Sequence, residues 1–100
     1  MPLAAERQTF GGLRGTIVDL HKNYLYDLGH LLREEALKAR QAFQAAKGTP
    51  DAAFQSGRLM AYYEVLSLVV SQAESFNVPA ADLHLDGLDL DRDLLDTPIQ

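Results

Sequence analysis

From Ile17 to Ala46 the apolar positions fall in two interleaved rows: Ile17, Leu20, Tyr24, Leu28, Leu31, and, with His21 at its head, Leu25, Leu32, Ala36, Ala39, Phe43, Ala46. Steps of three and four residues return a side chain to the same side of a helix, so the rows fuse into one wide apolar face. Lys22, Asn23, His30, Arg33, Glu34, Arg40, Gln41 and Gln44 take the other side. The pattern predicts a helix over residues 16–47, about 48 Å long at 1.5 Å per residue. Thr16 suits its N-cap, with Asp19 three residues on. Lys47 suits the negative end of the helix dipole, and Gly48 the left-handed position just beyond.

A second helix is predicted at once, over residues 50–76. Thr49 is placed to cap it, with Pro50 at its first position and Asp51 at the positive end of its dipole. Asn77-Val78-Pro79 ends it. A link this tight forces the two helices to run antiparallel. Phe54, Leu59, Ala61, Tyr62, Val65, Leu66, Leu68, Val69, Val70, Ala73 and Phe76 cover roughly two-thirds of the second helix's circumference. A single neighbouring helix covers about a third. The expected fold is therefore all-α: an antiparallel hairpin that pairs with a second copy into a homodimeric four-helix bundle. Leu28, Leu32, Leu66, Val69, Val70 and Phe76 are the expected interface positions.

The flanks read differently. Gly11, Gly12 and Gly15 weigh against helix, so residues 1–15 are expected to form a mobile arm ahead of a hairpin domain over 16–77. Residues 78–100 form an acidic tail. Pro79 to Leu83 suits one helical turn; beyond it leucine alternates with polar residues from Leu83 to Asp91, which predicts an extended segment with one apolar edge. Asp89 or Asp91 is placed to cap a last short turn through Leu94 and Leu95. The leucines predict a tail that docks, on its own bundle or on a partner.

Charge sharpens this division. Residues 1–76 balance eight basic against eight acidic side chains, whereas the last two dozen residues set six aspartates against Arg92 alone, giving the net −5. No cluster of Lys and Arg offers a phosphate-binding surface, which excludes nucleic acid. One hundred residues allow one domain, and the chain has no cysteine for a disulfide framework or a thiolate metal site. Met1 to Phe10 carry Glu6, Arg7 and Gln8 rather than an apolar leader, and the longest apolar run is too short for a bilayer, so a cytoplasmic location with no membrane partner is expected.

Candidate chemistry is sparse. Asp89-x-Asp91-x-Asp93 has the opening spacing of a calcium loop, but Leu94 and Gln100 stand where glycine and a bidentate glutamate are required. Asp27, His30 and Glu34 share one side of the first helix, without the inward Glu-x-x-His repeats of di-metal bundles. His21 and Glu35 fall within the apolar face but lie about 21 Å apart along the axis. Glu64 sits among small residues, with no carboxylate or histidine at its level. No nucleophile elbow or phosphate-binding glycine loop is present. No catalytic, cofactor or metal site is expected. The primary functional expectation is a non-catalytic dimer that binds another protein, as an adaptor, a regulator or a toxin neutraliser. The alternative is an enzyme or ligand carrier with a pocket at the dimer seam, lined by Tyr24, Glu35, Tyr62 and Tyr63, with His21 nearby.

Overall fold

The structure, a computed structural model, describes residues 11–95. Two long helices, α1 (Gly11–Ala46) and α2 (Ala52–Ser75), pack side by side. A 3-10 turn (Ala80–Leu83) and a π-helical turn (Asp91–Leu95) follow, and the described residues contain no strand. None of the described helices is long and apolar enough to cross a membrane.

The helix α1 starts at Gly11, five residues ahead of the predicted start at Thr16. Thr16 therefore lies inside the helix and does not cap it. Once a helix is nucleated, each further residue adds a hydrogen bond, and an extension of this kind tolerates the roughly 1 kcal/mol that each glycine costs. The rest of the predicted arm, residues 1–10, and residues 96–100 lie outside the described residues.

Gly48 takes the left-handed backbone, φ +82°, as a residue just past a helix end requires. The predicted N-cap, Thr49, serves α1 instead. Its amide (2.9 Å) and its hydroxyl (2.6 Å) both donate to the Ala46 carbonyl. Its Oγ1 accepts from the Asp51 amide at 3.2 Å, completing a turn, and α2 begins at Ala52 with Asp51 at the cap position. The carbonyls at the end of a helix lack intrahelical partners, and Ala46 is the nearest such acceptor to the threonine. At its far end α2 closes with Asn77 left-handed (φ 58°), its amide donating to the Glu74 carbonyl and the Val78 amide to Ala73. This is the Schellman pattern, with asparagine where glycine is commonest.

The seam between the helices opposes small residues to large ones. Ala36 and Ala39 of α1 are buried in one cluster with Leu59, Leu66 and Ala73 of α2, which recur every seven residues and so share one side of the helix. Leu83, Leu85 and Leu94 of the tail are buried in the same cluster. The segment expected to be extended is folded into turns. The 3-10 turn repeats the Schellman closure: His84 is left-handed (φ 58°), its amide donating to Ala81 and the Leu85 amide to Ala80. Each closure satisfies carbonyls that an extended strand would leave without a partner sheet. The molecule remains elongated, with extents of 60 × 26 × 16 Å and a radius of gyration of 18.4 Å. A compact domain of this length has a radius near 13 Å.

Candidate interaction surface

The tail covers one side of the hairpin through a small set of contacts. Gly29 of α1 meets the backbone of Leu83 so closely that a Cβ there would overlap the Leu83 carbonyl. The His84 imidazole is held between two rings of α1: Tyr26, with centroids 4.6 Å apart and planes 2° from parallel, and His30, at 4.6 Å and 12°. The guanidinium of Arg33 donates to the carbonyls of His84 (3.1 Å) and Asp86 (2.9 Å). His30 reaches Glu34 on its other side at 3.1 Å, and His84 Nδ1 is buried without a hydrogen-bond partner. Further along, Tyr63 of α2 donates to the Asp91 carboxylate at 2.7 Å, and this bond is the main cause of a raised phenol pKa.

The aspartates with calcium-loop spacing are occupied with one another's neighbours. Arg92 donates to both carboxylate oxygens of Asp93, at 2.7 and 3.0 Å, and the Asp89 amide donates to Asp93 at 2.9 Å. Asp89 accepts from the Arg92 amide at 3.1 Å. The bonds from Arg92, and then that from the Asp89 amide, hold the Asp93 carboxyl down from 3.8 to about 2. A carboxyl whose pKa is depressed by folding stabilises the fold above its ordinary range, and that contribution is lost as pH falls through the folded value. Amide protection factors in residues 83–95 should therefore decline as pH falls from about 4 to about 2. Asp93→Asn should lower the protection already at neutral pH and flatten its dependence on pH; an unchanged profile in the variant would show that Asp93 does not hold the turn.

The opposite side of the hairpin is bare. Tyr26, Gly29, His30 and Arg33 mark the tail-facing side of α1; at 100° per residue, Leu20, Tyr24, Leu28 and Leu31 fall on the far side, and all four are exposed. On α2, Tyr63 faces the tail, whereas Phe54, Val65, Leu68 and Phe76 lie on the far side and are also exposed. The tail touches both helices from one side, so these rows share the other. Exposed apolar rows of this kind make this side the candidate interaction surface. Toward the open end of the hairpin it deepens into a groove of ≈ 380 Å³, lined by Leu25, Leu68, Val69, Gln72, Ala73, Phe76, Val78 and Leu83.

The residues singled out in the sequence land in different places. Leu28 and Phe76 are exposed on the bare side; Val69 is half-buried in the groove wall, and Leu32 and Val70 pack partly buried against the core. Leu66 is fully buried between the two helices, so its side chain has no surface left for a second copy. Tyr24 is on the bare side and Tyr63 on the tail side, with Tyr62 half-buried, and Glu35 pairs with Lys38 at 3.2 Å; one chain does not bring these four to a common pocket. His21, Asp27 and Glu64 are exposed, and among the described residues no three His, Cys, Asp or Glu side chains are grouped to hold a metal. The contacts that seat the tail, Tyr26, Gly29, Arg33 and His84, were not singled out for that role. The signals available were a lone glycine inside a helical pattern and a histidine within a leucine alternation. Comparison with family models, with characterised proteins and with solved structures finds no match for this chain.

Proposed function

We propose that the protein is a non-catalytic protein–protein interaction module of the adaptor, regulator or toxin-neutralising kind, working as a homodimer whose two hairpins complete a four-helix bundle. The observation that supports it is the bare side: eight large apolar residues, from Leu20 to Phe76, exposed along two adjacent helices whose other side is already covered. Leaving that surface in water forgoes roughly 25 cal/mol per Å², which a second helical layer recovers. The aspartates of the tail then lie on the outside of the dimer, where they steer a basic surface of another protein toward it.

Sedimentation equilibrium tests the reading. The protein should be a dimer at micromolar concentration. Leu68 is 64% exposed, so an aspartate in its place remains hydrated in a single chain and the helix content is kept. In the dimer the same charge is buried without a partner, a cost of several kcal/mol. Leu68→Asp should therefore yield a folded monomer. A wild-type protein that is monomeric throughout would overturn the proposal.

A further inference from the structure

The bare side carries a projection and a recess at matching distances from its centre. Phe54, in the first turn of α2, is 68% exposed and stands on the same side as the groove. It lies nine residues, about 14 Å, before Tyr63 near the middle of the helix. Gln72, in the groove wall, lies the same distance after it. At 100° per residue, eighteen residues make five full turns of the helix, so Phe54 and Gln72 point in the same direction. A surface whose knob and hole are symmetric about its own centre is self-complementary, which is the requirement for a two-fold contact between identical chains.

Resting on the dimeric reading above, we propose that the occupant of the bare side is a second copy of this chain, packed antiparallel about a two-fold axis that lies between the copies, level with the middle of α2, with Phe54 of each copy seated in the groove of the other. Three further observations support this occupant. The groove is lined by aliphatic and aromatic side chains with Gln72 as its polar member, which suits a phenyl ring and offers nothing to a charged ligand. Asp82, Asp86, Asp89, Asp91 and Asp93 belong to the tail on the opposite side, so the pairing keeps two acidic surfaces apart, and on the joined side of α1 Glu35 and Lys38 pair with each other at 3.2 Å. The size also fits: α2 is about 36 Å long and two adjacent helices are about 20 Å wide. That gives roughly 700 Å² per copy, close to the ~800 Å² that a stable interface takes from each partner.

The absence of cysteine makes the arrangement directly testable. In the variant carrying both Phe54→Cys and Gln72→Cys, the two introduced thiols of one chain are about 27 Å apart and cannot join. Across the proposed two-fold they are neighbours. Mild oxidation should convert the double variant into a covalent dimer on non-reducing gels, while each single variant stays uncrosslinked, its two thiols being held about 27 Å apart by the antiparallel packing. Both positions are exposed, and circular dichroism checks that helix content is unchanged. Efficient crosslinking of the Phe54→Cys single variant would show parallel packing and overturn the proposal. A double variant that sediments as a dimer yet does not crosslink would also overturn it, leaving the dimeric reading intact; a wild-type protein that sediments as a monomer would end both. Phe54→Ala should, in the same measurement, weaken dimerisation at least tenfold.

Discussion

Truncating Leu66 to alanine should lower the free energy of unfolding by about 2–5 kcal/mol. The side chain is completely buried, at the midpoint of the row Leu59, Leu66, Ala73 that meets Ala36 and Ala39 of α1. Three carbons would be lost from a buried cluster that also holds Ala36, Ala39, Leu59, Ala73, Leu83, Leu85 and Leu94. Any cavity left behind adds to the lost burial, which is why the cost exceeds that of transfer alone. Glu64→Ala, two residues away on the exposed side, should stay within about 0.5 kcal/mol. Urea unfolding followed by circular dichroism reads both variants. Equal midpoints would mean that the seam between α1 and α2 collapses around the missing side chain or is not packed there.

The second large effect belongs to Gly29. In the interior of an ordinary helix an alanine in place of glycine gains roughly 1 kcal/mol. Here the added methyl falls on the Leu83 carbonyl, which is backbone and lies within a turn closed by its own hydrogen bonds. Overpacking against an unyielding neighbour costs about 1–3 kcal/mol, so the sign reverses. Because Leu83 is followed by His84 in its sandwich and by Leu85 in the core, the whole tail is expected to be displaced. Gly29→Ala should raise amide exchange across residues 80–95 while α1 and α2 keep their protection. A variant more stable than the wild type, with the tail still protected, would refute the close approach. Gly57 provides the comparison, since a Cβ there meets nothing and Gly57→Ala should stabilise modestly.

The hairpin was legible in the sequence because its determinants are local. Helical spacing of apolar residues fixed the two long elements, and the glycine at position 48 fixed the turn between them. Boundaries moved by a few residues where a choice depended on competition, as at Thr49, whose hydroxyl has acceptors on both sides of the link. The tail was less legible because its conformation is set from outside. Alternation of leucine with polar residues looks the same in a strand as in a series of tight turns that bury Leu83, Leu85 and Leu94 on one side. The surface to which they fit is made by Gly29 and its neighbours, more than fifty residues earlier in the chain. The bare apolar side was legible only as an excess of apolar positions. Whether Leu66 or Leu68 faces outward depends on how the first helix is rotated against the second, and α1 settles that through the small residues Ala36 and Ala39.

The short span between Ser75 and Ala80 has a kinetic meaning. Contacts such as Arg33 to His84 join residues 51 apart in sequence, which for an open chain is a slow closure. Once the hairpin exists, α2 itself carries the chain back along α1, and only the four residues from Phe76 to Pro79 separate its end from the landing site. Loop closure then adds little entropy cost, so attachment of the tail becomes a fast local step that follows hairpin formation rather than directing it. The same economy works in reverse. Release of the final segment would uncover Leu83, Leu85 and Leu94 without requiring α1 and α2 to part.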